Sequence, residues 1–433
     1  MRFTIEKTER LRRYAMFQKE TLTNGIRIVT EEIPYVNSVS IGLWIKAGSR
    51  YENIENNGIS HFIEHMLFKG TQNRTAKDIA NSIDKIGGQL NAFTSKECTC
   101  FYAKVLDTHF DTALDVLADM FFNSNFDWEE IEKERGVVLE EINMYEDSPE
   151  DLVHDIFSQA VWSGNSLGMP ILGTGESLAN LNREKIVQYF NKYYHSQNLV
   201  ISVVGNIKHI TAADKIKAYF EKASQSNKST SQIVMPSFVS EYTLKSKVTE
   251  QAHLCMGFKG VDLKSKLFYP MLLLNNVFGG AMSSRLFQKI REDRGLAYSV
   301  FSYPSSFEDC GLFSIYAGSK PDNLKSVVKL IMEEINSIKD KGITEEELYD
   351  SKEQLKGSYI LGLESTSGRM ISIGKSELLL KRIYSPVEIL EKIDKVDIEI
   401  VNDIIKHIFD TDNMGAAVIG SMDKDTDIRE LFK

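Results

Sequence analysis

Residues 58–70 read GISHFIEHMLFKG, and residues 268–280 read FYPMLLLNNVFGG. Each follows a strand-like run, SVSIGLWIKAG at 38–48 and QAHLCMGFKGV at 251–261. Each is followed at a distance by a long charged helical pattern, FDWEEIEKERGVVLEEI at 126–142 and ITEEELYDSKEQLKGSYI at 343–360. A pattern that restarts in this way predicts two similar halves of about two hundred residues each. Aligning the F-x-G ends sets Met271, Leu274 and Asn275 opposite His61, Glu64 and His65. Aligning the long helices sets Ser351 and Ser358 opposite Glu134 and Glu141. The second half keeps the apolar scaffold and lacks the ionisable groups, so the fold does not need them.

Working outward, GIRIVTEE and SVSIGLWIKAGS read as strands, and TAKDIANSIDKIGG and FDTALDVLADMFFN read as helices. QLNAFTSKECTCFYAKVL reads as two strands with a bend, and Asp127 is placed to cap the long acidic helix. Strands and helices mix without strict alternation. This predicts an α+β fold of two homologous domains, each a largely antiparallel sheet with helices packed on one face. The expected division is a polar extension at 1–17, a first domain at 18–222, a linker at 223–240 marked by KASQSNKSTSQ, and a second domain at 241–433.

Composition excludes several function classes. A chain of 433 residues is too long for one ordinary core. A net charge of −10 argues against nucleic-acid binding, and no apolar run approaches the length of a membrane span. The N-terminus lacks the apolar core of a signal peptide. The four cysteines, Cys98, Cys100, Cys255 and Cys310, are too few for a disulfide framework, so a reducing, cytoplasmic setting is expected. The CTC at 98–100 could form a metal clip, but two packed thiols are the expected reading.

The chemistry gathers in HFIEH. On a helix His61 and His65 are one turn apart, so their imidazoles converge, and Glu64 lies about 60° round from His61 on the same side. Phe62, Ile63, Met66 and Leu67 take the opposite side. Two imidazoles and a carboxylate left semi-buried without partners would cost several kcal/mol. A zinc ion would partner both imidazoles, and a water beside it would partner Glu64; the bland alternative is a surface helix with two solvated histidines. The spacing H-x-x-E-H is the inverse of H-E-x-x-H. A hydrolytic zinc site needs a third protein ligand and an open position. The acidic helix supplies candidates, among which Glu134 and Glu141 share a face two turns apart, an arrangement suited to a ligand and a carboxylate that orients one. Periodicity leaves Glu140 open.

HFIEH followed by ERGVVLEEI resembles the pitrilysin or insulinase-like zinc peptidases. The likeness extends to GGQLNAFTS, DLVHD, PILGT and SVVGNI, and to FGGAMSSRLFQKIREDRGLAYSV in the second half. Length and two-half layout resemble the small members, such as the catalytic subunit of the mitochondrial processing peptidase and its bacterial relatives. The resemblance implies one Zn2+ per chain on His61, His65 and Glu141, with Glu141 standing 76 residues past His65. It implies Glu64 as general base and Glu134 as support to a ligand. It implies substrate contacts from Arg291 and Tyr298, with Tyr298 donating to the developing oxyanion. It implies strand pairing of an extended peptide with Asn91, Ala92 and Phe93. It further implies a homodimer, or a heterodimer with an inactive homologue, that closes a chamber on unfolded peptides or presequence-like segments. The alternative is a non-catalytic member that kept the fold as a binding or structural subunit.

Overall fold

Glycine and serine punctuate the strand β3 (Ser38–Ile45), and their placement explains how its sheet is covered. Side chains alternate along a strand. Val39, Ile41, Leu43 and Ile45 enter one apolar core, whereas Ser40, Gly42 and Trp44 meet a helix on the opposite face. The computed structural model describes residues 17–223 and 233–432, so all of the expected extension at 1–17 except Phe17, which opens a strand, and much of the expected linker lie outside it.

The first sheet comprises β1 (Phe17–Thr21), β2 (Arg27–Glu32), β3, β4 (Gln89–Thr94), β5 (Thr99–Leu106) and β6 (Leu199–Gly205). Their spatial order is β1-β2-β6-β3-β5-β4. The second sheet comprises β7 (Tyr242–Ser246), β8 (Ala252–Lys259), β9 (Ala297–Ser306), β10 (Gly311–Ser319) and β11 (Met414–Gly420), in the order β7-β11-β8-β10-β9. Setting β1 aside, the two orders are the same. Each contains a parallel pair at the corresponding place, β2 with β6 and β7 with β11, and the remaining pairs are antiparallel. The repeat seen in the sequence is therefore a repeat of topology, and the class is α+β.

Two compact units result. One contains the described residues of Met1–Ile142, Pro170–Ile233 and Ile360–Ile389; the other contains those of Asn143–Met169, Val234–Tyr359 and Leu390–Lys433. The units thus depart from two contiguous stretches, because each half of the chain lends one helix to the other unit. In the first unit the lent helix is Thr366–Leu380, packed on β3 and β6. A Cβ on Gly374 would stand 2.1 Å from Nε1 of the fully buried Trp44, so glycine is required there, whereas one on Gly42 would stand 2.4 Å from Met370 Sδ, the movable end of a side chain. Polar contacts fix the helix in place. Ser202 Oγ, which accepts from Trp44 Nε1–H at 2.8 Å, donates to Met370 O at 3.1 Å, the Ser40 and Thr366 hydroxyls meet at 2.9 Å, and Arg369 pairs with Glu31. Pro149–Val161 is the reciprocal helix, lying on β8 and β11 in the second unit, where Phe157 and Val161 join Cys255, Ala417 and Ile419. Helices on one face of each sheet were expected; the lent helix adds cover on a second face.

Candidate metal centre

HFIEH forms the middle of the helix Ile59–Leu67, and Ile59, Phe62, Ile63, Met66 and Leu67 are buried in the first unit's core. Its N-terminus is held by a residue the sequence did not mark. Glu52, itself buried, accepts the backbone N–H of Gly58 at 2.7 Å and of Ser60 at 2.8 Å, and the side-chain amide of Asn57 at 2.9 Å. The two backbone N–H groups are orphan donors of a helix start, and a carboxylate there also faces the positive end of the helix dipole. Burial raises the Glu52 pKa, and the hydrogen bonds pull against that rise.

The acidic helix runs Trp128–Glu146, and Asp127 caps it by accepting the Glu129 N–H at 2.9 Å. On it Ile131, Glu134 and Val138 are buried, Glu140 is exposed and Glu141 is half-buried. Of the two glutamates that periodicity left open, Glu141 is the one that faces the histidines. Glu141 Oε2 lies 3.7 Å from His61 Nε2 and 3.6 Å from His65 Nε2. Among the described residues, these three form the one group of histidine, cysteine, aspartate or glutamate donors all within 4.8 Å of one another.

These separations are too long for hydrogen bonds and close to what one ion would impose. Two donors about 2.0–2.1 Å from a tetrahedral zinc stand about 3.3 Å apart. The protonation states agree. Burial, then the neighbouring His65, drives His61 down to about 4, so its imidazole is neutral at pH 7, and its buried Nδ1 has no hydrogen-bond partner among the described residues. His65 Nδ1 meets Glu134 Oε1 at 2.7 Å. A proton on that nitrogen leaves the Nε2 lone pair facing Glu141, the orienting arrangement common around metal-ligating histidines. Burial pulls His65 down, but the Glu134 hydrogen bond and charge outweigh it and leave its pKa raised. Glu134 is buried and also pairs with Lys69 Nζ at 2.5 Å; against the upward push of burial, these two partners hold its pKa low.

Glu64 stands beside the cluster without joining it. Burial raises its pKa, and the Thr94 hydroxyl, which donates to Oε2, opposes the rise. Thr94 ends β4, the outer strand of the first sheet. That strand carries Asn91, exposed, with Ala92 and Phe93 partly covered. Sequence reading singled out those three and missed Thr94, whose only signal was its place at the strand end. Arg291 and Tyr298 lie in the second unit. The Arg291 guanidinium lies 4.9 Å from the Tyr298 ring centre and 4.7 Å from that of Phe287, and Tyr298 is 76% exposed at the start of β9. Cys98 and Cys100 are buried free thiols whose pKa values burial raises.

Known proteins carry the same patterns. A family profile described as insulinase (peptidase family M16) matches residues 27–175, and one described as the peptidase M16 inactive domain matches 180–355. The uncharacterized zinc protease YmxG of Bacillus subtilis is 51% identical over 92% of this chain and 97% of its own length. An uncharacterized zinc protease of Streptomyces coelicolor is 42% identical over 88% of this chain and 84% of its own. Among solved structures, a protease from Helicobacter pylori superposes with a TM-score of 0.90 at 22% identity, over 94% of this chain and all of that one. No helix among the described residues is long and apolar enough to cross a membrane.

Proposed function

Since the chain belongs to the insulinase family of peptidases, family M16, we propose that it is a zinc-dependent endopeptidase acting on extended, unfolded peptides. The carrying observation is the convergence of His61, His65 and Glu141 within 4.8 Å, with Glu64 adjacent and not itself among them. His61, His65 and Glu141 would hold one zinc per chain. Bound there, the ion would supply Lewis acidity that lowers the pKa of a water toward about 7 and polarises a peptide carbonyl.

The chain's own groups do the rest. Glu134 holds the His65 ring in one tautomer and orientation. Glu64 accepts the proton of the attacking water and delivers it to the leaving amine as the peptide bond breaks. The outer strand β4 offers Asn91, Ala92 and Phe93 to an extended substrate by strand addition. Arg291 and Tyr298 bind the substrate backbone, with Tyr298 donating to the developing oxyanion. We assign that service to a second copy of the chain in a homodimer that encloses the peptide; a heterodimer with an inactive homologue would serve the same purpose.

The test is direct. Cleavage of an unstructured peptide should stop on chelation and return with zinc. Glu64→Gln should retain its zinc and lose turnover, since a base goes and the ligands stay. Loss of zinc in that variant, or full activity without metal, would overturn the assignment.

A further inference from the structure

Thr94 is the last residue of β4, paired with Thr99 across the ladder to β5. Its hydroxyl donates to Glu64 Oε2. The Thr99 hydroxyl lies 3.4 Å away but donates to Ala47 O at 2.9 Å, so its proton is committed elsewhere. The carboxylate is therefore the natural acceptor for the Thr94 proton. A β-branched side chain in a strand has little χ1 freedom, so the strand sets the direction of this donor. A glutamate's terminal torsion, by contrast, is broad and nearly two-fold. Without a fixed donor the two oxygens of Glu64 would exchange and the carboxylate would swing. With Oε2 engaged by Thr94, Oε1 is the freer oxygen to take a proton.

We propose that Thr94 is a positioning residue for the general base: it fixes the Glu64 carboxylate, and it ties that carboxylate to the strand on which a peptide would be laid. The inference rests on the peptidase reading above. A peptide paired along β4 would end its ladder one side chain from the base. Binding and proton transfer would thus share one rigid support, which the required precision of catalytic groups favours.

The experiment compares Thr94→Val, which keeps the shape and the branched Cβ but removes the hydroxyl, with Thr94→Ser, which restores it. Chelator-sensitive cleavage by the wild type and its loss in Glu64→Gln report on the peptidase reading itself. Given those, Thr94→Val should lower kcat about 10–100-fold with KM nearly unchanged, since a misplaced base forfeits part of what general-base catalysis contributes. Thr94→Ser should recover to within a few-fold of wild type, and both variants should bind zinc with wild-type affinity. A crystal structure of metal-free Thr94→Val gives a readout independent of turnover, in which Glu64 should leave its single orientation. An unmoved Glu64, a fall confined to KM, or a serine variant as impaired as the valine would each overturn the proposal.

Discussion

On the proposed zinc-peptidase reading, replacing Glu134 with glutamine separates a group that would orient a ligand from the ligands themselves. Glu134 is 3% exposed and engages both oxygens, Oε1 with His65 Nδ1 at 2.7 Å and Oε2 with Lys69 Nζ at 2.5 Å. Glutamine has the same length but one carbonyl oxygen, which His65 and Lys69 must then contest, while its amide N–H groups face an ammonium. The charge that raises the basicity of His65 is lost with it. Orienting partners of this kind are worth about 10–100-fold in metal affinity, or about 1.4–2.7 kcal/mol. The assay is competition for zinc against a chromophoric chelator, run beside Glu140→Gln, whose parent side chain is exposed on another face of the same helix. Because His65 has a raised pKa in the metal-free protein, its proton competes with metal as pH falls, so the two variants and the wild type are compared at one pH within a series in which the competition fades as pH rises. Glu140→Gln should match wild type. An unchanged affinity in Glu134→Gln, or an equal loss in Glu140→Gln, would refute the placement of this helix face at the metal.

Three further outcomes are expected. Arg369→Met should destabilise the protein by about 3–5 kcal/mol in urea unfolding, since it strands the buried Glu31 carboxylate without its partner. Gly374→Ala should cost about 1–3 kcal/mol or more by the same measurement, because the added Cβ meets Trp44 Nε1 at 2.1 Å and neither helix nor sheet can withdraw freely. Mixing Glu64→Gln chains with chains carrying Arg291→Ala and Tyr298→Ala should restore peptide cleavage if a second copy serves each zinc site; no recovery despite confirmed subunit exchange would remove the proposed dimer.

Much of this architecture was legible because it is written at short range. The H-x-x-E-H spacing and the i, i+7 relation of Glu134 and Glu141 are properties of single helices, and the structure places Glu134 inward and Glu140 outward as one face requires. The repeat was legible because its apolar patterns recur in order. What stayed hidden is long-range. Glu52 precedes the motif helix by a turn that has no helical period, so nothing near it announced a cap. Thr94 was one hydroxyl in a strand end, and its meaning depends on Glu64 thirty residues away. The reciprocal lending of helices was also invisible, because a lent helix carries the same amphipathic pattern as one kept at home.

That lending bears on why the second half persists without metal ligands. Alternation along β4 sends Phe93 and Thr94 to opposite faces of the first sheet. Thr94 reaches Glu64, whereas the Phe93 ring lies edge-on to Trp44 with centres 5.7 Å apart. Trp44 is fully buried beneath the helix Thr366–Leu380, which the second half supplies. Gly374 admits the indole, Ser202 accepts its N–H, and Arg369 and Glu377 pin the helix to Glu31 and Arg27. Without that helix one face of β3 and β6 would be bare, and the outer strand would lose the support behind Phe93. The strand that aims Thr94 at the base is thus seated on a piece of the half that carries no metal ligands. A substitution at Gly374 or Arg369 mild enough to leave the fold intact should therefore disturb Glu64 through Phe93 and Thr94, and its effect on turnover should exceed its effect on zinc affinity.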